Sequence, residues 1–128
     1  MKFPTALLWV NSVLFLVFGG CFIATPEFFA TVITGSTPGT PSAFIDMRAT
    51  YGGMGLGVGL LFGFCARQSS TVRVGLIAAL LVLGSTAAAR LVGFIADGSA
   101  NVFMLLLLGA ELLFVVLLVA ALKQSHNG

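Results

Sequence analysis

Residues 102–122 read VFMLLLLGAELLFVVLLVAAL, an apolar run broken by one charge, Glu111. A helix needs about 20 predominantly apolar residues to cross the hydrocarbon layer of a bilayer, so this stretch reads as a transmembrane span. An ionised side chain at that depth costs on the order of 2.5–3.5 kcal/mol even on mild insertion scales, and it persists only where a partner charge or a ligand offsets the cost. Three more runs of membrane length, 4–24, 42–66 and 72–96, precede it, and the last of them contains Arg90. The expectation is an all-α fold: a single transmembrane domain over 1–128, built as a four-helix bundle, with the two deep charges on its last two helices.

Composition supports the same solvent. The 128 residues are 59% hydrophobic and 8% charged, with a mean hydropathy of +1.12, whereas about a quarter of a soluble domain is charged. Four spans leave little chain for a soluble catalytic module. The net charge of +2 is small and spread over scattered basic residues, which argues against nucleic acid as a partner and against a polybasic lipid patch. Cys21 and Cys65 stand apart and the one histidine, His126, lies in the polar tail, so neither a metal site nor a cofactor is expected. The two cysteines fall towards opposite ends of their helices, too far apart for a disulfide.

The breaks between spans carry turn residues: Thr25-Pro26-Glu27 and the run 34–41, then 67–71, then 97–101. The last two are short, making the second, third and fourth helices antiparallel neighbours. In the first break, Thr25 can cap a turn with Pro26 at its first position and Glu27 near the positive end of the dipole. Segment 26–34 therefore reads as a short interfacial helix with Phe28, Phe29, Val32 and Ile33 on its apolar face. An irregular loop with lipid-facing aromatics is the alternative, and either would be a lid over the bundle.

Lys2, Arg67, Arg73 and Lys123 fall on one side of the bundle, and Glu27, Asp46 and Asp97 on the other. The positive-inside rule makes the basic side cytoplasmic, with both termini there. Phe18-Gly19-Gly20-Cys21 faintly resembles a lipoprotein signal, but no leucine stands at the third position before the cysteine and the apolar run is long for one. The first helix is read as uncleaved.

Gly52, Gly55, Gly59 and Gly63 form a small-residue stripe on the second helix that admits a close neighbour, either within the chain or from a second copy. Arg48 projects from the same stripe and so faces protein. Arg90 shares a face with Thr86, Gly93 and Asp97. At 1.5 Å per residue, Arg90 lies roughly 9 Å and Glu111 roughly 13 Å below the ends of their spans, with Arg48 about as deep as Arg90. These depths predict one cluster of Arg48, Arg90 and Glu111 in the outer half of the bundle, with Asp46 and Asp97 above it and Tyr51 and Thr86 as donors. The cluster is an ion pair that fixes helix register or a site for an anionic or polar head group, which its surplus positive charge would favour; a snorkelling Arg48 with a lipid-facing Glu111 is the third alternative. Asn11 reads as an interhelical hydrogen bond, Trp9 as an interface anchor, and Phe15, Phe18 and Phe22 as a packing face.

The segment Asp46-Met47-Arg48-Ala49-Thr50-Tyr51-Gly52-Gly53-Met54-Gly55, with an arginine late in the third helix and a glutamate in the fourth, resembles the DUF4345 family of small bacterial four-helix membrane proteins. The resemblance covers nearly the whole chain. It implies the fold and a bacterial inner-membrane location, singles out Arg48, Arg90 and Glu111, and supplies no activity. A more distant likeness to DoxX-type proteins rests on architecture alone. The expected function is a non-enzymatic membrane protein that binds membrane lipid or an anion, or serves as accessory subunit of a larger membrane complex. Two alternatives stand. One is an enzyme acting on a lipid or quinone, with Glu111 as base, although a carboxylate beside two arginines is a poor one. The other is a small transporter working as a homo-oligomer around the glycine stripe.

Overall fold

The computed structural model describes residues 1–127, and every regular element among them is helical. Helix α1 spans Phe3–Ala24, α2 Pro26–Thr34 and α3 Pro41–Met47. A π-helical segment, Arg48–Gly53, joins α3 to α4, Met54–Ala66; α5 spans Ser69–Asp97 and α6 Val102–Asn127. Four continuous helical stretches, with α3, the π segment and α4 counted as one, are long and apolar enough to cross a membrane. The basic end of the bundle carries Lys2, Arg67, Arg73 and Lys123, and the acidic end carries Glu27, Asp46 and Asp97.

The glycine stripe is used within the chain, against α1. A Cβ on Gly19 would lie 2.6 Å from the Gly52 carbonyl oxygen, and one on Gly59 would lie 2.9 Å from the Leu16 nitrogen. Ser12 Oγ, buried in the same seam, donates to the Gly59 carbonyl at 2.7 Å. Between helices in lipid, close backbone approach and such bonds replace the hydrophobic drive. Asn11 behaves differently from expectation: its Nδ2 donates to the Leu7 carbonyl of its own helix at 2.9 Å, so the interhelical bond belongs to its neighbour Ser12.

Each spanning stretch contributes one large side chain that is fully buried: Leu8, Phe62, Leu76 and Leu118. All four lie towards the basic end. Around them α5 and α6 form an antiparallel hairpin, α4 packs on α5, and α1 touches α4, α5 and α6. The buried stripe of α5 runs through Val72, Leu76, Ala79, Leu83 and Ala87, and Arg90 is its next member at helical spacing. On α6 Glu111, Leu118 and Ala121 are the buried residues.

The helix ends differ from the sequence expectation in three places. The second span begins at Pro41, where Thr40 accepts from the Ala43 N–H at 3.2 Å, and it is interrupted by i→i+5 bonding such as Met54 N–H to the Ala49 carbonyl. The connection at 67–71 is shorter than expected because α5 already starts at Ser69, with Thr71 Oγ1 donating to the Cys65 carbonyl at 2.8 Å. The fourth span continues past 122 to Asn127.

The segment after α1 is a helix rather than a loop. Pro26 takes its first position and Glu27 its first turn, but Thr25 does not cap it: the Thr25 hydroxyl turns back to the Cys21 carbonyl at 3.3 Å. Gly35, at φ 78°, ends α2 in the left-handed conformation that favours glycine. Pro26 and Ala30 are buried and Phe29 and Ile33 partly so, while Phe28 and Val32 point outward, so the expected apolar face is split. Asn101 tethers this helix to α6, donating to the Ile33 carbonyl and accepting from the Met104 N–H, each at 2.9 Å.

The seam makes a direct prediction. Gly59→Leu overpacks α1 against α4 and lowers stability by about 1–3 kcal/mol, whereas Gly57→Leu, whose Cβ meets nothing within 4 Å, stays within about 0.5 kcal/mol. Reversible unfolding of both variants in detergent micelles measures the difference.

Candidate functional site

The two deep charges meet. Arg90 Nη2 donates to Glu111 Oε1 at 2.7 Å, and Nε donates to Oε2 at 3.0 Å and Oε1 at 3.2 Å. This fork satisfies both carboxylate oxygens, the strongest common geometry for such a pair. Arg90 Nη1 reaches the Met104 sulfur at 3.2 Å, about two turns before Glu111 on α6. The side chains are 19% and 10% exposed, so the pair is largely removed from lipid and solvent. It is the one ion pair among the described residues.

Arg48 does not join it. Its guanidinium Nη1 donates to the Ile23 carbonyl, at the end of α1. The last four carbonyls of a helix have no partner inside it and carry the negative end of its dipole, and the glycine stripe from which Arg48 projects is packed on α1. Arg48 thus faces α1, at the acidic end, rather than α5 and α6.

The other residues expected in the cluster have separate settings. Asp46 Oδ1 accepts from Thr50 Oγ1 at 3.4 Å, one turn along its own helix. Asp97 is exposed at the end of α5. Thr86 Oγ1 donates to the Val82 carbonyl at 2.7 Å, also within its own helix. Tyr51 packs on Phe22, with ring centroids 5.2 Å apart, and Phe22 also meets Phe18 and Phe29. This aromatic group joins α1, α2 and the π segment at the acidic end. The expected single cluster is therefore divided between two places.

Arg48 lies instead on an open groove of about 900 Å³ at the acidic end, between the α1–α2 elbow and the start of α3. Its walls are mainly apolar, with Pro26, Phe28, Phe44 and Ile45 among them, and Glu27 is the other charged group in its lining. No carboxylate lies within salt-bridge distance of Arg48 among the described residues. The sequence singled out Arg48 but not the groove, because Phe44 and Ile45 read as ordinary span residues and Phe28 as a lipid-facing aromatic. Among the described residues, no group of three or more histidine, cysteine, aspartate or glutamate side chains is placed to hold a metal ion.

Four apolar spanning helices, a glycine seam and a forked ion pair between two of them define a small helical membrane bundle. The chain belongs to the DUF4345 family, described as a domain of unknown function, whose sequence model matches residues 4–122. No curated protein and no solved structure matches it.

The pair can be tested by a double-mutant cycle. Removing either partner alone, Arg90→Met or Glu111→Leu, leaves a buried charge uncompensated and costs about 3–5 kcal/mol, while the double variant recovers most of that loss. Unfolding free energies of the three variants in micelles supply the cycle.

Proposed function

We propose that this protein is a non-enzymatic bundle of the bacterial cytoplasmic membrane that holds the polar head group of a membrane lipid in the acidic-end groove, on its own or as accessory subunit of a larger membrane complex. One observation carries the reading: a cationic side chain without a carboxylate partner lines an apolar-walled groove. The guanidinium has five N–H donors in a fixed fork, and Nη1 is the nitrogen engaged on Ile23. The remaining donors suit a phosphate oxygen, and Phe28, Phe44 and Ile45 suit the glycerol and upper acyl carbons below it. Glu27, in the same lining, suits an ammonium group if the head group carries one. The positive-inside rule favours the basic end in the cytoplasm, which would open the groove to the outer leaflet.

The enzyme reading loses its base, since both Glu111 oxygens are engaged by Arg90. The transporter reading loses its dimer face, since α1 already covers the glycine stripe.

Arg48→Gln removes the phosphate donor and is expected to lower the fraction of protein carrying a co-purified zwitterionic phospholipid, whose ammonium Glu27 can meet, about tenfold, the scale of a lost charged hydrogen bond. Asp97→Asn, at the same end but outside the groove, leaves it unchanged. Native mass spectrometry of protein extracted in mild detergent reads both. Full retention of zwitterionic phospholipid by Arg48→Gln contradicts the proposal.

A further inference from the structure

The opposite end of the molecule carries a second groove, of about 490 Å³, on the α5–α6 hairpin. Arg73 and Lys123 line it together with His126, and Leu80, Val119 and Leu122 form its apolar wall. Arg73 is held over the end of α6, where Nη1 donates to the Leu122 carbonyl at 3.4 Å and to Ser125 Oγ at 3.3 Å.

Cations beside the last carbonyls of a helix are stabilised by its dipole, which by itself would account for one of the two, Arg73. It does not account for Arg73 and Lys123 around one opening, with His126 beside them. The four acidic residues of the chain, Glu27, Asp46, Asp97 and Glu111, all lie on the other half of the bundle or beyond it. No carboxylate side chain among the described residues is within salt-bridge distance of Arg73, Lys123 or His126. The groove therefore presents the Arg73 and Lys123 charges with no carboxylate side chain among the described residues to pair them, beside an apolar wall. Basic pockets between spanning helices with this layout select anionic head groups, while the wall accepts the first carbons of an acyl chain.

We propose that this groove binds an anionic phospholipid, one whose phosphodiester has no compensating amine. Arg73 and Lys123 contact the phosphate, His126 closes the rim, and the glycerol and proximal acyl carbons lie along Leu80, Val119 and Leu122. The site is separate from the Arg48 groove, shares no residue with it, and differs from it in having no acidic group in its lining.

The test uses the full chain carrying Arg48→Gln, so that the acidic-end groove has lost its phosphate donor, in mild detergent, delipidated and then titrated with phosphatidylglycerol, with phosphatidylcholine, or with sn-glycerol 1-phosphate as the chain-free head group, and followed by native mass spectrometry. Phosphatidylglycerol is expected to bind in preference to phosphatidylcholine, and Arg73→Gln and Lys123→Gln each to lower its affinity about fivefold. Lys123→Arg, which keeps the charge, retains binding. Circular dichroism confirms that each variant remains helical, and one that does not is replaced by Arg73→Met or Lys123→Met, which keeps the chain length without the charge and is expected to lower affinity alike. Equal binding of the two lipids, undiminished binding by Arg73→Gln with Lys123→Gln combined, or equal affinity for glycerol phosphate alone would overturn the proposal.

Discussion

A charged side chain inside the hydrocarbon layer must find an opposite charge or abandon its position, and in this bundle that requirement falls on Arg90 and Glu111. Their fork spans the α5–α6 hairpin with both carboxylate oxygens engaged. Its place on the hairpin explains why it is there. The four fully buried large side chains, Leu8, Phe62, Leu76 and Leu118, lie towards the basic end, and the buried stripe of α5 has reached Ala87 before it arrives at Arg90. The pair holds the two helices together in the half where apolar packing thins out. Geometric specificity of this kind is the best-attested use of buried ionic groups, whose net contribution to stability against an apolar substitute is often small.

The acidic half is consequently assembled by several different local devices. Glycine backbones let α1 and the second spanning stretch touch, Phe22 gathers Tyr51 and Phe29 around the end of α1, and Asn101 ties α2 to the start of α6. Between these attachments the elbow after α1 and the start of α3 stand apart, and the groove beside Arg48 is the space they leave. The basic half is packed, and its groove is a surface feature of the hairpin instead of a gap between elements.

Much of this was legible in the residues. Long charge-poor runs define spans because no other structure satisfies the backbone in lipid, and their limits came within a few residues of the helices at most ends. The meeting of Arg90 and Glu111 followed from depth and facing, since rise per residue is nearly constant. Arg48 did not follow, because the carbonyls at the end of α1 that hold it are backbone groups that no side-chain pattern reveals. Ser12 was missed because one hydroxyl in an apolar run carries little signal. Its seven-residue spacing from Gly19 on the same helix face was the available clue. Thr25 and Asn11 both chose carbonyls of α1 over the partners expected of them, a local option always open to short polar side chains.

The central claim is that the Arg90–Glu111 pair is complete in itself and needs no ligand. Solid-state NMR on protein in lipid bilayers, with ¹⁵N in the arginine guanidinium and ¹³C in the glutamate carboxyl, measures their dipolar coupling directly. The account predicts a strong coupling, corresponding to the 2.7 Å Nη2–Oε1 contact, that is unchanged when the surrounding lipid is exchanged from anionic to zwitterionic. A coupling that is absent, or that appears with only one class of lipid, would contradict it.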